Sequence, residues 1–264
     1  MQYEGVLTKM QVEEGKPIQY YLVFDNSFLN VNQLLNKEIS IRTRGCQCLN
    51  CNKEKKLFRM GFCYDCFFSS PAVGDWIIRP ELSKAHLGIA DRDLAYEAEC
   101  QLQPHVVYLA QSCEIKVGVT RKTQIPTRWI DQGAEKAIVI VEVPNRYLAG
   151  ITEVKLKDIF CDKINWRRML VNDICVTDLQ QERLKLQDLL PNEVREFFVA
   201  DKAEIYEFEY PVVSYPTKVT SLTFDKTSFF QGKLIGIKGQ YLMFENGLVF
   251  NVRAAEGSLV TITI

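Results

Sequence analysis

The sequence lacks any apolar run long enough for a membrane helix, and its opening residues, MQYEGVLTKMQVEEGK, lack the apolar core of a signal peptide. We therefore expect a soluble cytoplasmic protein with no membrane partner. Net charge is almost absent as well, because 32 basic residues balance 33 acidic ones and leave a charge of −1. This balance argues against a strong, non-specific nucleic-acid binder, but it leaves room for a local basic face.

Histidine is scarce, with two residues in the chain. A Ser-His or Cys-His hydrolase needs a nucleophile that is oriented beside its histidine. No nucleophile-elbow motif flanks Cys100, Cys113 or either histidine. We therefore expect His86 and His105 to be structural or surface residues.

A length of 264 residues leaves room for two or three domains. The composition, with 47% hydrophobic and 25% charged residues, is typical of a soluble globular protein. The charge is unevenly distributed along the chain. Residues 37–66 hold seven basic and three acidic residues, whereas residues 173–209 hold four basic and ten acidic ones. A polyanionic partner should therefore contact the first region and avoid the second.

Five of the nine cysteines lie between positions 46 and 66. The odd total argues against complete disulfide pairing, and the clustering favours a metal site. Two Cys-x-x-Cys pairs, Cys48 with Cys51 and Cys63 with Cys66, can close a tetrahedral site of four thiolates on a hairpin, which suits structural Zn²⁺. Cys46 could replace Cys48. A redox dithiol is less favoured, because two pairs are present and neither has a βαβ context. An iron–sulfur site is a further, less favoured alternative.

The same segment carries basic residues at Lys53, Lys55, Lys56 and Arg59. They could form a platform that approaches nucleic-acid phosphates. They could equally be the solvated face of a zinc-stapled hairpin. The sequence leaves both interpretations open.

A central block follows, with the predicted element order β-β-α-β-α. Its predicted elements are strands at Val106–Gln111 and Ile115–Thr120, a helix from Gln124 to Asp131 with Thr123 as N-cap and Gly133 near its end, a strand at Ala137–Val143, and a helix from about Asn145 to about Phe160. Tyr108 shares a face with Lys116 and Gly118 only if the hairpin loop has an odd length, such as residues 112–114.

Two polar residues of the predicted helices face the interior. Glu153 lies on the same helical stripe as Ala149 and Leu156, where a carboxylate is costly without a partner. Arg128 lies one turn after Ile125, on the side that should face the sheet. The two could form an ion pair, or they could be a metal ligand and a phosphate clamp.

The order of these residues resembles that of the GIY-YIG endonuclease superfamily over residues 105–170. The first motif is Val106-Val107-Tyr108, the second is Lys116-Val117-Gly118, and Arg128 and Glu153 follow on successive helices. Lys116 stands where the standard pattern has tyrosine, although one branch of the superfamily also has lysine there. The longer run from the cysteines through KVGVTRKTQIPTRWIDQGA to residues 165–168 is also similar to a bacterial domain-of-unknown-function family, which brings no established activity.

The GIY-YIG resemblance implies metal-dependent hydrolysis of phosphodiester bonds in DNA or RNA. Glu153 would hold Mg²⁺ or Mn²⁺, and Arg128 would brace the phosphate. Tyr108, or a neutral Lys116, would help to deprotonate the attacking water, while Gly118 would permit close backbone approach. Further expected nucleic-acid contacts are Arg121 and Lys122. The alternatives are a non-catalytic nucleic-acid-binding module and a protein scaffold.

The two ends of the chain resemble each other, since YLVFDN at residues 21–26 parallels YLMFEN at residues 241–246. We expect a small β-barrel-like module at each end. Such a module could contact nucleic acid through Tyr20, Tyr21, Phe24 and Phe28, use these rings as its core, or contact a protein partner. The predicted fold is α+β and multi-domain: residues 1–44 and 205–264 form the β modules, 45–70 the zinc ribbon, 71–175 the GIY-YIG-like domain and 176–204 a helical connector.

Overall fold

A computed structural model describes residues 1–160, 165–199 and 203–264. The remaining residues, 161–164 and 200–202, fall in the predicted central domain and connector and lie outside the described part. Strands in the described part are β1 (Gln2–Val6), β2 (Gln11–Glu13), β3 (Gln19–Phe24), β4 (Ser27–Asn30), β5 (Glu38–Cys46), β6 (Leu57–Arg59), β7 (Phe62–Cys63), β8 (His105–Gln111), β9 (Ile115–Arg121), β10 (Lys136–Val143), β11 (Ile205–Glu207), β12 (Thr220–Leu222), β13 (Phe229–Lys238), β14 (Tyr241–Phe244), β15 (Leu248–Asn251) and β16 (Ser258–Thr263).

Helices in the same ranges are α1 (Tyr64–Ser69), α2 (Leu94–Gln101), α3 (Thr127–Asp131), α4 (Arg146–Leu156), α5 (Trp166–Leu170) and α6 (Leu179–Leu184), and several single 3₁₀ turns connect them. The fold is therefore mixed α+β with several sheets. None of the described helices has the length and apolar character needed to cross a bilayer.

The largest sheet, which we call the terminal sheet, is shared by the two ends of the chain. Its strand order is β1-β16-β5-β13-β14-β15-β12, and β5 pairs with both β13 and β16. The N-terminal strands β2, β3 and β4 form a smaller sheet of their own. Tyr20 and Phe24 are buried in the core of this region, whereas the ring of Phe28 is 67% exposed.

The central sheet has the order β11-β10-β8-β9, and its neighbouring strands are antiparallel. Every residue of β8 is buried, because the strand is covered on both faces. Val106, Tyr108 and Ala110 face the core that contains α3 and the terminal strands, while Val107 and Leu109 face the core that contains α4 and α6. The edge strand β9 borders the site described below.

The hairpin of β8 and β9 has the odd loop of residues 112–114. Gln111 pairs with Ile115, and Tyr108 lies directly opposite Gly118. Lys116 lies opposite Ala110. Because side chains alternate along a strand, Tyr108, Lys116 and Gly118 share one face, which is the register required by the sequence argument.

The helix predicted from Gln124 is shorter than expected. Residues 122–124 form a 3₁₀ turn, Ile125 is extended, and α3 begins only at Thr127. Pro126 explains the delay, because a proline disfavours the helical conformation of the residue before it. Gly133 has φ +72° just after α3, as the predicted helix end requires. Asn145 caps α4 by accepting a hydrogen bond from Leu148 N–H, and α4 ends at Leu156 rather than near Phe160.

Candidate functional site

The Cys48, Cys51, Cys63 and Cys66 thiols form one cluster, in which the four sulfur atoms all lie within 4.8 Å of one another. Zinc–sulfur bonds of about 2.3 Å in a tetrahedron require sulfur atoms roughly 3.8 Å apart, so the cluster matches such a site after a small contraction. Backbone Cys63 N–H donates to Cys48 Sγ at 3.2 Å, and Asn50 Nδ2 donates to Cys66 Sγ at 3.4 Å. These donors suit negatively charged thiolates. The four residues can therefore bind a metal ion such as zinc.

Cys46 does not belong to this cluster. Its sulfur donates to the backbone carbonyl of Lys55 at 3.1 Å. We call residues 46–70, which hold the β6–β7 hairpin and α1, the ribbon. Arg92, which lies outside the ribbon, contacts its C-terminal end. Its Nη1 donates hydrogen bonds to the backbone carbonyls of Phe67 at 2.9 Å and Ser70 at 2.6 Å.

The predicted basic residues of the ribbon, Lys53, Lys55, Lys56 and Arg59, are all exposed. Lys55 pairs with Asp65 at 3.1 Å. The Arg59 guanidinium lies 5.4 Å from the centre of the Phe58 ring. This arrangement is compatible with either of the two interpretations drawn from the sequence.

The predicted catalytic residues Tyr108, Lys116, Arg128 and Glu153 line one cleft, whose volume is about 670 Å³. We call it the basic cleft, because the described residues of its lining include seven basic and two acidic side chains: Lys9, Lys116, Arg121, Arg128, Arg146, Lys157 and Arg253, against Asp131 and Glu153. The cleft borders β9, which ends the strand order of the central sheet. The chain as a whole carries a charge of −1, so its cations are concentrated here.

Tyr108 is fully buried, and its hydroxyl accepts a hydrogen bond from Gln132 Nε2 at 3.0 Å. Burial raises the pKa of this hydroxyl, although the positive charge of Arg128 partly opposes the increase. The ring lies across Gly118, where an added Cβ would stand 2.7 Å from both Cζ and Oη of Tyr108. Glycine is therefore needed at this position to accommodate the Tyr108 ring.

Glu153 is 9% exposed, and its Oε2 lies 3.5 Å from Lys157 Nζ. Burial raises the pKa of its carboxyl group, and the charges of Lys157, Lys116 and Arg146 act against that increase. The backbone of α4 approaches closely at Gly150, where an added Cβ would lie 2.2 Å from the amide nitrogen of Glu81. This close packing of α4 against Pro80 and Glu81 holds the helix, and with it Glu153, in position beside the cleft.

Arg146 is a cleft residue that the sequence analysis missed. Its Nε and Nη2 donate to the carbonyls of Trp76 and Ile77 at 3.0 and 2.8 Å. Burial lowers its pKa to about 10, and the neighbouring charges of Arg128 and Arg121 add to this effect. Arg146 is the first residue of α4, seven residues before Glu153, and Lys157 is the C-cap residue of α4, four residues after Glu153, so helical periodicity could have identified both.

Asp131, the second acid of the cleft, already has two partners. Its Oδ2 pairs with Lys9 Nζ at 2.7 Å, and its Oδ1 accepts from Gln240 Nε2 at 2.8 Å. It thereby connects α3 to both ends of the chain. Asp131 is thus committed to Lys9 and Gln240, whereas Glu153 lies among the charges of Lys157, Lys116 and Arg146.

The other sequence-predicted residues have different positions. Arg121 lines the cleft, whereas Lys122 is exposed and pairs with Glu142 at 2.8 Å outside it. His105 is fully buried, and burial lowers its pKa to about 4. His86 is exposed and stacks on Tyr147 with a centroid distance of 4.5 Å. Neither histidine lines the cleft.

Comparisons with known proteins give a family and no activity. No curated protein and no solved structure matches the chain. A family model described as "Protein of unknown function (DUF2797)" matches residues 36–260, from β5 through the ribbon and the basic cleft to β16. The uncharacterised family expected from the sequence is therefore confirmed, and the chain belongs to the DUF2797 family.

Proposed function

We propose that the protein binds nucleic acid in the basic cleft and hydrolyses phosphodiester bonds there with a divalent metal ion. The observation that carries this proposal is the convergence of Tyr108, Lys116, Arg128 and Glu153 in one cation-lined cleft. These residues come from two strands and two helices, and they are the four that the GIY-YIG resemblance identifies from their order in the sequence. On this proposal the central sheet with α3 and α4 is a divergent GIY-YIG-like domain, and the shared terminal sheet corresponds to the barrel-like modules.

Glu153 fits a Mg²⁺ or Mn²⁺ ligand by its chemistry. Mg²⁺ commonly binds one or two protein carboxylates and completes its coordination with water and substrate phosphate oxygens. A single buried carboxylate beside a phosphate-binding cleft matches that mode. When bound, the metal would stabilise negative charge on the leaving oxygen.

The side chains of the cleft have separate roles in this proposal. Arg128 binds the non-bridging phosphate oxygens, and Arg146, already held by two backbone carbonyls, adds a fixed positive charge. Because burial raises the pKa of Tyr108, its phenol stays protonated at neutral pH and orients the attacking water or donates to phosphate. Lys116, in its neutral form, would then accept the proton of that water.

The test is cleavage of labelled DNA and RNA in Mg²⁺ or Mn²⁺ by the zinc-loaded chain. Glu153→Gln should reduce the rate roughly 100-fold or more, because it removes the carboxylate that binds the metal. Glu245→Gln, which changes a largely exposed carboxylate on the terminal sheet, is the matched control and should retain full activity. Cleavage that persists in Glu153→Gln would refute the catalytic role.

The second candidate is a nucleic-acid-binding protein without catalysis. The ion pair of Glu153 with Lys157 favours it, because a carboxylate committed to a lysine binds metal less readily. Binding without cleavage by both the wild type and Glu153→Gln would select this candidate. Absence of both binding and cleavage would leave a protein scaffold, for which the terminal sheet is the available surface.

A further inference from the structure

An aromatic pocket lies between the ribbon and the segment that follows it. Its volume is about 300 Å³, and its lining includes Phe58, Phe67, Phe68, Met60, Ile77 and Ile78. The Phe58 ring is 5.1 Å from Phe67 and 5.7 Å from Phe68 between centroids. Phe58 is 43% exposed and Phe68 is 54% exposed. Large aromatic rings left open in this way are typical of a contact surface.

The pocket is continuous with the basic cleft. Met60, Ile77 and Ile78 line both the pocket and the cleft, so a ligand can pass from one to the other without leaving the surface. Met60, at the tip of the β6–β7 hairpin, and Ile78 are 43% and 73% exposed. An elongated molecule that occupies the cleft would therefore meet the aromatic rings next.

Charge around the pocket identifies the chemistry of that molecule. Arg59 lines the pocket, with its guanidinium against the Phe58 ring, and Lys53 and Lys56 are exposed elsewhere on the ribbon. The exposed Asp75 also lines the pocket, so the cations that favour a polyanion here are Arg59 and those of the adjoining cleft. Aromatic rings that alternate with basic side chains match a single strand of nucleic acid, whose bases stack on the rings while its phosphates contact the cations.

We infer that the aromatic pocket stacks unpaired bases, and that the ligand of this protein is nucleic acid with a single-stranded segment leading from the cleft onto the ribbon. This inference rests on the proposed function, since it places the same strand in the cleft. It also gives the ribbon a role beyond its metal, because the zinc-held hairpin carries Phe58, Arg59 and Met60 to the mouth of the cleft. A blunt duplex, whose bases are already paired and stacked, could not use the pocket.

The experiment measures affinity by fluorescence anisotropy for a labelled single strand, a duplex with a single-stranded overhang and a blunt duplex, without a catalytic metal. Wild type should bind the first two more tightly than the third. Phe68→Ala should weaken binding of the single strand roughly 5-fold or more, as the loss of one stacked base predicts, and should leave the blunt duplex within about 2-fold. Phe68→Tyr should restore binding, because a tyrosine ring also stacks.

Phe229→Ala is the matched control, because it removes another partly exposed phenylalanine, 39% exposed on β13, and should not change affinity. Zinc content and melting temperature establish that each variant is folded. A single strand carrying 2-aminopurine at successive positions reports stacking directly, since its fluorescence falls when the base stacks on a ring. That quenching should appear with wild type and vanish with Phe68→Ala.

The outcomes separate this inference from the proposed function. If wild type binds nucleic acid but Phe68→Ala binds the single strand equally well, the inference is wrong and the proposed function stands. If Glu153→Gln abolishes cleavage but blunt duplex is bound best, the inference is again wrong. If wild type binds no nucleic acid, both fail. Loss of self-association in Phe68→Ala, without any change in nucleic-acid affinity, would assign the pocket to a second copy of the chain.

Discussion

The ribbon and the central sheet differ in the interactions that stabilise each of them. In the ribbon, the buried core consists of cysteine side chains, and the aromatic rings around them remain partly exposed. In the central sheet, β8 is covered on both faces by apolar side chains. We therefore expect the ribbon to depend on metal ligation for its order, whereas the sheet depends on apolar burial. Conditions or substitutions can therefore be chosen that unfold one region and leave the other folded.

Removal of a single thiol should have the largest effect. Cys63→Ser should abolish zinc binding and unfold the ribbon, because binding of structural zinc contributes on the order of 10 kcal/mol to the folding of such small elements. The central sheet should keep its structure. Zinc analysis combined with hydrogen exchange resolves the two regions, and protection should be lost at residues 46–70 but retained in β8.

Cys46→Ser is the control for that variant, because Cys46 lies outside the cluster and bonds to the Lys55 carbonyl. It should bind one zinc ion and retain the exchange protection of the ribbon. Loss of zinc in Cys46→Ser, or loss of protection in β8 of Cys63→Ser, would contradict the separation of the two regions.

Acid should destabilise the central sheet through protonation of His105. Burial lowers the pKa of His105 to about 4, while the unfolded residue has a pKa near 6.5. The unfolded state therefore binds the proton first, and the free energy of unfolding should decrease as the pH falls from about 6.5 to about 4, by up to about 3 kcal/mol. Urea denaturation at several pH values, followed by the fluorescence of the buried Trp129 beside Tyr108, measures this loss.

His105→Gln removes the titrating group and should flatten the dependence over that interval. His86→Gln is the matched variant, because His86 is exposed, and it should leave the dependence unchanged. An equally steep acid dependence in His105→Gln would show that another group is responsible.

The comparison also explains what sequence reasoning could and could not recover. The four clustered cysteines of the ribbon are close in sequence, and their spacing alone predicts the cluster. Tyr108, Gly118 and Glu153 meet only through strand register and helix packing, so their proximity depended on the odd length of the loop at residues 112–114. Arg146 could have been identified from its position seven residues before Glu153 in α4, whereas the role of Asp131 depends on Lys9 and Gln240, which are far away in the sequence. The shortened α3 follows from Pro126, because a proline disfavours the helical conformation of the residue before it, and this effect can be predicted from the sequence.

Overpacking of the sheet beneath the cleft should have a smaller effect than acid. Gly118→Ala places a methyl group within 2.7 Å of the Tyr108 ring, which should destabilise the protein by about 1–3 kcal/mol and displace the phenol from Gln132. Gly232→Ala is the control, because the nearest atom to its added Cβ is 3.3 Å away, on a phenylalanine ring. Urea denaturation should separate the two variants while zinc content stays at one ion in both.

Single substitutions of basic residues should have the smallest effect, which should differ between the ribbon and the cleft beside the central sheet. Lys56 is exposed on the ribbon, whereas Arg128 is half-buried in the cleft beside Tyr108. An exposed cation is screened by salt and contributes to nucleic-acid affinity mainly through counterion release, so Lys56→Ala should weaken binding only about 2- to 3-fold at moderate salt. Arg128→Ala should weaken it about 10-fold or more, because a phosphate in the cleft would lose a charge-assisted hydrogen bond. Affinity measured across a salt series distinguishes the two, since the Lys56 effect should disappear as salt increases while most of the Arg128 effect remains. Equal losses that disappear together would mean that the phosphates lie on the open surface of both regions and that the cleft holds none of them.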